Sequence, residues 1–282
     1  MGSIEKILTD ISNLPTLPTV YTSLSEAMEN PRTSTDSLAK IISTDQASSF
    51  KILKIVNSPF YGFRGKIDTI SQAIIYLGFN EVRNIIFALS IISAFSKDKN
   101  LKQFSPVDFW AHSIAVGIAT RMIGIAIGEK NIENFFLGGV FHDIGKLIFF
   151  EYAAADYLKV ISIVNSKNCS IKDAEKEVFG IDHSKAGQIV SEKWKLPISI
   201  QNVIYYHHQG QVKKENNSLV AAVHVADIVA RILELGYAGD DLIPEPNIKV
   251  WDVLKLNNGY FQTLKNKLIQ DFDHTVRLML ID

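Results

Sequence analysis

Ile74-Ile75-Tyr76-Leu77-Gly78-Phe79-Asn80-Glu81-Val82-Arg83-Asn84-Ile85-Ile86-Phe87-Ala88-Leu89 is the stretch whose spacing decides the fold. Ile74, Ile75 and Leu77, then Val82, Ile85, Ile86 and Leu89, recur at three- and four-residue intervals, the period that lines one face of an α-helix. Upstream, Leu38, Ile41 and Ile42 and then Phe50, Leu53 and Val56 repeat that spacing. No alternation of apolar and polar residues runs long enough to predict a strand. Ser34-Thr35-Asp36 ahead of Leu38, and Ser170 ahead of a first turn with Asp173, are helix-start signals, because a short oxygen side chain can accept from the orphan N–H groups of that turn. Pro15, Pro18, Pro31, Pro59 and Pro197 punctuate the connections. The predicted fold class is all-α, a packed multi-helical assembly rather than a symmetric bundle.

Three parts are expected along the chain. Residues 1–105 form an N-terminal helical part, 106–235 a helical core that carries the metal-binding pattern, and 236–282 a C-terminal helical extension. Polar Lys97-Asp98-Lys99-Asn100 ahead of Pro106 marks the first boundary, and all seven histidines follow it. Gly236 to Asn247, with two prolines and several acids, marks the second.

Composition excludes several function classes. The 282 residues hold 29 basic and 30 acidic side chains, a formal net charge of −1, which gives no electrostatic argument for a nucleic-acid partner or a membrane surface. Lys213-Lys214 runs at once into Glu215, so no dense basic patch appears. With 47% hydrophobic residues the chain can bury a sizeable core. The single Cys169 rules out an intramolecular disulfide and fits a reducing compartment. Met1-Gly2-Ser3-Ile4-Glu5-Lys6 is charged early and reads as neither a signal peptide nor a myristoylation site. Ile85 to Phe95 is too short to cross a bilayer, which needs roughly 18 apolar residues. A cytoplasmic location is the expectation.

One pattern carries chemistry. His112 is followed by Phe141-His142-Asp143-Ile144-Gly145-Lys146, then by His183, His207-His208 and Asp227. Imidazole and carboxylate together bind divalent metals, and a carboxylate can bridge two of them. His142, Asp143, His112 and Asp227 are expected to form one site. His183, His207 and His208 form a second, with Asp143 between the two. His142 and Asp143 are read as neighbours on one helix, about 100° apart around its axis. Val203 and Ile204, four residues ahead of His207 and His208, place both histidines on an inward face. Two metals held close together can clamp a phosphoryl group during in-line attack. Lys146, one turn beyond the His-Asp pair, is expected to act as a mobile cation for phosphate, so Asp143 and Lys146 are the catalytic candidates. A lone buried histidine is usually a hydrogen-bonded core residue, and His224 and His274 are read that way.

On these residues the C-terminal half resembles the HD superfamily of metal-dependent phosphohydrolases, named for a His-Asp pair that here is His142-Asp143. The N-terminal half carries Asn13-Leu14-Pro15-Thr16-Leu17-Pro18, Ile41-Ile42-Ser43-Thr44-Asp45 and Leu53-Lys54-Ile55-Val56-Asn57-Ser58-Pro59-Phe60-Tyr61, then Ile70 to Ala73 with Leu77-Gly78. That series is similar to the HDOD domain, an HD-related output domain of bacterial signalling proteins, over roughly residues 4 to 235. The resemblance implies an HD-type all-α assembly and a role in signal-dependent regulation through protein or ligand binding. By motif it also implies two divalent metals (iron, manganese, nickel or zinc). His112, His142, Asp143 and Asp227 would serve one, and His183, His207 and His208 the other.

One departure stands out. The related cyclic-di-GMP phosphodiesterases follow the paired histidines with Gly-Tyr-Pro, whereas His207-His208 here runs into Gln209-Gly210-Gln211. The resemblance therefore gives no support to cyclic-di-GMP hydrolysis and leaves another phosphoester open. Three readings stand side by side: a regulatory module with a metal site, a working metal-dependent phosphohydrolase, and a metal-free scaffold with relic histidines. The expected partners are a signalling protein and a phosphate-containing small ligand.

Overall fold

The computed structural model describes residues 19–30, 32–95, 105–130, 132–212, 217–257 and 259–281. Five features read from the sequence lie outside them: the Asn13 to Pro18 motif, Pro31, the polar run at 97–100, Lys213 to Glu215, and the N-terminal Met1 to Lys6. Every regular element among the described residues is helical. The chain divides into two compact units, Thr16–Lys97 with Lys267–Asp282, and Asp98–Asn266 with Met1–Pro15.

The first unit holds α1 (Thr19–Glu29), α2 (Thr35–Ser43), α3 (Gln46–Val56), α4 (Ile70–Leu77) and α5 (Phe79–Phe95). Its helix starts follow the cap chemistry of the sequence. Ser34 accepts from the Ser37 N–H at 3.2 Å, and Asp45 accepts from Ala47 at 3.0 Å and Ser48 at 3.2 Å. Each such cap contributes about 1 kcal/mol. The run from Ile74 to Leu89 is two helices rather than one, bent by 118° at Gly78. Gly78 adopts φ +82°, a conformation that a side chain resists. The bend leaves Ile75 and Tyr76 facing solvent while Val82, Ile85, Ile86 and Leu89 are buried.

The second unit contains α6 (Pro106–Ala126), α7 (Glu133–Phe141), α8 (Ile144–Tyr152), α9 (Ala154–Lys167), α10 (Ile171–Phe179), α11 (His183–Lys193), α12 (Ile198–Tyr206), α13 (Ser218–Ile232) and α14 (Lys249–Leu254). α6, α7 and α13 pack together, α11 packs on α8 and α12, and α12 also meets α7. By length and composition α6 passes as a bilayer-crossing helix, yet 83% of its most apolar window is buried inside the protein, so it serves as a core helix. Ser170 caps α10 as its sequence indicates, accepting from Asp173 N–H at 3.2 Å.

The residues expected as one C-terminal extension, 236–282, divide between the two units. Residues 236–266 belong with the second unit, and the division falls inside α15 (Tyr260–Val276). The reason is packing: Ala238 and Val250 are buried in that unit, while Leu278 and Met279, in the π-helical turn Arg277–Ile281 that packs on α3, are buried in the first.

Candidate metal centre

His142 and Asp143 do not sit on one helix. They form the two-residue break between α7 and α8, where Asp143 has φ −102° and ψ 13°. The break lets two adjacent side chains both turn inward, which a continuous helix would separate by about 100°. It closes tightly on its far side. A methyl group added at Gly145 would stand 1.9 Å from the carbonyl oxygen of His183 and 2.8 Å from the backbone nitrogen of Gly187. Only glycine lets the start of α8 approach the start of α11 so closely, and the glycine of the His-Asp-x-Gly-Lys run is there for that contact.

Two groups of ligating atoms converge around Asp143. His112 (α6), His142 and Asp227 (α13) form one, and His183, His207 and His208 the other, each with its ligand atoms within 4.8 Å of one another. Asp143 faces both: Oδ2 lies 3.2 Å from His142 Nε2, while Oδ1 lies 3.2 Å from His183 Nε2 and 3.5 Å from His207 Nε2. His112 Nε2 is 3.0 Å from Asp227 Oδ1, and His208 Nε2 is 2.8 Å from His183 Nε2. Spacings near 3 Å are the edges of a coordination shell built on bonds of about 2.1 Å. All of these side chains are buried except His208, which is half-buried; α12 ends at Tyr206, ahead of the pair that the sequence places on one inward face.

Hydrogen bonds fix the imidazoles for metal. His142 Nδ1 donates to Gly139 O at 2.7 Å and His207 Nδ1 donates to Ile204 O at 3.0 Å, so each Nε2 presents a lone pair. His142 Nε2, His207 Nε2 and Asp143 Oδ1 are buried and make no hydrogen bond. Three orphaned polar atoms within one pocket are costly unless a cation completes them. These residues therefore fit a divalent ion.

The electrostatics agree. Burial raises the Asp143 carboxyl, but His142, Lys146 and His183 outweigh it and hold the group well below the usual carboxylate range. Burial likewise opposes Asp227, whose carboxyl Arg231 holds far down. Burial pushes the His112 imidazole down and His207 down to about 4, and burial with the neighbouring histidines lowers His208 strongly. Ionised carboxylates and neutral imidazoles are the state a metal requires. His183 is the exception: burial lowers it, yet Glu175 beside it prevails and raises it to about 9.

Glu175 is one residue of the site that sequence reasoning missed. It is fully buried on α10, and its Oε2 accepts from His183 Nδ1 at 2.6 Å and from the His183 backbone N–H at 2.8 Å. Arg231 is a second such residue. Its Nε donates to Asp227 at 3.1 Å and its Nη1 to Asp240 at 2.9 Å. Glu175 stands eight positions before His183 with no local signature, whereas Arg231, four positions after Asp227 on one helix face, was detectable.

Lys146 departs from expectation. It is fully buried, and its Nζ donates to Asp143 Oδ2 at 2.5 Å and to Ala238 O at 2.7 Å. It is a fixed counter-ion to Asp143, not a mobile cation for phosphate. His224 is structural, as read: Nδ1 donates to His207 O at 2.8 Å and Nε2 accepts from Asn247 N–H at 3.0 Å. His274 belongs to neither group of ligating atoms and is exposed, not the core residue expected.

Two of this unit's clefts are lined by site residues or their sequence neighbours. One, of about 350 Å³, has His112 and Arg231 in its wall beside Glu234, Asp240 and Asp241. The other, of about 320 Å³, is lined by Lys172, Lys176 and Lys185 together with Asp182, Ser184 and Gln209, the sequence neighbours of His183 and His208. An acidic wall suits an incoming cation and a lysine-lined one an anion.

Residues 14–210 match the HDOD domain family. An uncharacterized protein of Treponema pallidum (strain Nichols) is 24% identical over 227 residues, which covers 79% of this chain but 43% of that protein, so the match spans less than half its length. Among solved structures, an HDOD domain protein of unknown function from Geobacter sulfurreducens superposes with a TM-score of 0.81 at 24% identity, covering 99% of this chain and 100% of the other. A candidate signal transduction protein of Marinobacter aquaeolei VT8 reaches 0.74 at 18% identity, covering 98% and 64% of the two chains. A candidate metal-dependent phosphohydrolase of Shewanella amazonensis SB2B reaches 0.66 at 17%, covering 98% and 97%. The likeness carries the all-α fold.

Proposed function

This chain belongs to the HDOD domain family, and on that premise we propose that it is a bacterial signalling protein whose second unit holds two divalent metals and acts by binding rather than turnover. His112, His142 and Asp227 would hold one ion, His183, His207 and His208 the other, with Asp143 shared. The observation that carries the reading is the set of buried, unsatisfied atoms around Asp143, aimed at one another with their other nitrogens tied to carbonyls. Binding is favoured over turnover by the locking of the nearby cations. Lys146 is spent on Asp143 and Ala238, and Arg231 on Asp227 and Asp240. Neither side chain can follow a phosphoryl group as its charge moves.

A second reading, a working phosphohydrolase, is favoured by the three lysines of the cleft beside His183 and His208. A phosphate-bearing small ligand is proposed for that cleft. Divalent ions held by the ligating histidines and aspartates would supply Lewis-acid polarisation of a phosphoryl oxygen. The chain's own part would be to hold the phosphate on the lysines.

Elemental analysis of protein purified without chelators, followed by a nucleotide and phosphodiester panel with manganese or iron, tests both readings. Stoichiometric metal without turnover is the expected result. Metal at trace level only would sink both readings. Turnover abolished by Asp143→Ala would replace the first with the second.

A further inference from the structure

A groove of about 610 Å³ lies in the first unit, and no ligating residue lines it. Its walls are α3, through Phe50, Leu53, Lys54 and Asn57, and the segment from Phe63 to Asp68. We propose that this groove is a docking site for an acidic segment of a partner protein that carries an apolar anchor side chain. It rests on the reading of the chain as a binding module, but not on the metal centre.

The groove is built rather than incidental. The Asn57 side chain clamps the opposite wall: Nδ2 donates to Ile67 O at 2.7 Å and to Leu53 O at 2.8 Å, and Oδ1 accepts from Ile67 N–H at 2.8 Å. One exposed asparagine thus pins a loop at both polar groups of a single residue. Ile67 itself is buried as the loop's foot. A preformed groove avoids the ordering cost of binding. Nothing lies within 4 Å of a Cβ added at Gly65, so the groove is open at that point.

Its chemistry specifies the occupant. The lining holds Lys54, Arg64 and Lys66 with Asp68, which Lys66 contacts at 2.7 Å. The apolar part is aromatic and exposed. Phe50 is 58% accessible with Lys54 Nζ 4.7 Å above its ring, and Phe63 packs at 5.7 Å on Tyr76, itself 64% accessible. Exposed aromatic side chains with an arginine around an open trough are the composition of a protein-binding patch. Their positive excess calls for an acidic partner. A small nucleotide is disfavoured, since such ligands need a site that encloses most of their surface, and Lys54 already covers a face of Phe50.

The test uses the full chain and a fluorescein-labelled peptide of glutamates flanking a Phe-Leu pair, with a lysine-for-glutamate counterpart and adenosine triphosphate as competitors. Saturable binding of the acidic peptide, weakened about tenfold or more by Arg64→Glu and by Gly65→Glu, is expected. Both positions are exposed, so unchanged helicity and metal content show that the variants fold and that the metal centre is intact. No binding of the acidic peptide, equal binding of the basic one, or indifference to both substitutions would overturn the proposal. Displacement of the peptide by adenosine triphosphate at equal or lower concentration would also overturn it, in favour of a nucleotide site. Binding lost on chelation would tie the peptide to the metal centre and refute the groove.

Discussion

Gly145→Ala puts the packing behind the metal centre to a quantitative test. On an exposed helix this change stabilises by up to about 1 kcal/mol, because alanine restricts the unfolded chain and favours helix. Here the new methyl would meet the His183 carbonyl oxygen at 1.9 Å, and relieving that to 3.0 Å separates two backbones by about 1.1 Å. Neither partner is a flexible side chain, so α8 and α11 must part, at an overpacking cost of about 3 kcal/mol. The net loss is about 2 kcal/mol, or roughly 4–8 °C in Tm for a chain of this size. The same displacement pulls His183 off Asp143 Oδ1, now at 3.2 Å, and off Glu175. The variant is therefore expected to retain the ion at His112, His142 and Asp227 and to lose the other. Calorimetry and elemental analysis on the same preparation read both effects. Gly65→Ala, where nothing lies within 4 Å, is the control and is expected to be neutral or slightly stabilising. A Gly145→Ala protein with unchanged Tm and full metal content would refute the reasoning, because the close approach would then be dispensable.

The metal-free protein is expected to be most stable near pH 6.5. Above it, His183, held up at about 9 by Glu175 against the effect of burial, loses its favourable proton as pH rises through that value. Below it, His207, pushed down to about 4 by burial, must be charged as pH falls. Urea titrations from pH 4 to 9 read both limbs, and Glu175→Gln is expected to remove the alkaline limb alone; its persistence would contradict the assignment to His183. In the presence of metal, Glu175→Gln is expected to weaken binding about 10–100-fold, measured by competition with a chelating dye. Lys146→Met is expected to destabilise the protein by roughly 3–5 kcal/mol, since it strands a buried carboxylate, and an unchanged urea midpoint would show Lys146 to be free of Asp143. His208→Ala is expected to halve the metal content and Asp143→Ala to reduce it to traces, and equal losses in the two would deny Asp143 its shared position.

Much of the scaffold was legible because its rules are local. Ser34 and Ser170 announce their helices through side chains that reach only three residues ahead. Asn57-Ser58-Pro59 reads as a stop, and α3 does end at Val56. What escaped depends on contacts distant in sequence. Lys146 is fixed by the carbonyl of Ala238, 92 positions away, and no pattern around Lys146 encodes that. The helix break at His142-Asp143 carries no glycine or proline of its own. Its turn is held by Gly145 against His183, a contact between α8 and α11. The division of residues 236–282 between two units likewise follows from which buried surface each half finds, not from the loop composition at Gly236 to Asn247.

A lysine ammonium seated on Asp143 has a consequence for the order of assembly. In small metal-dependent domains the ligands repel or strand one another until the ion arrives, so loading and folding are a single event. Here a resident positive charge neutralises the central carboxylate, and Arg231 does the same for Asp227. On the proposed reading, the chain is expected to reach its native form empty and to take up ions afterwards. Occupancy then becomes a variable that the folded protein can gain or lose with the cell's metal supply, without being made or destroyed in the process.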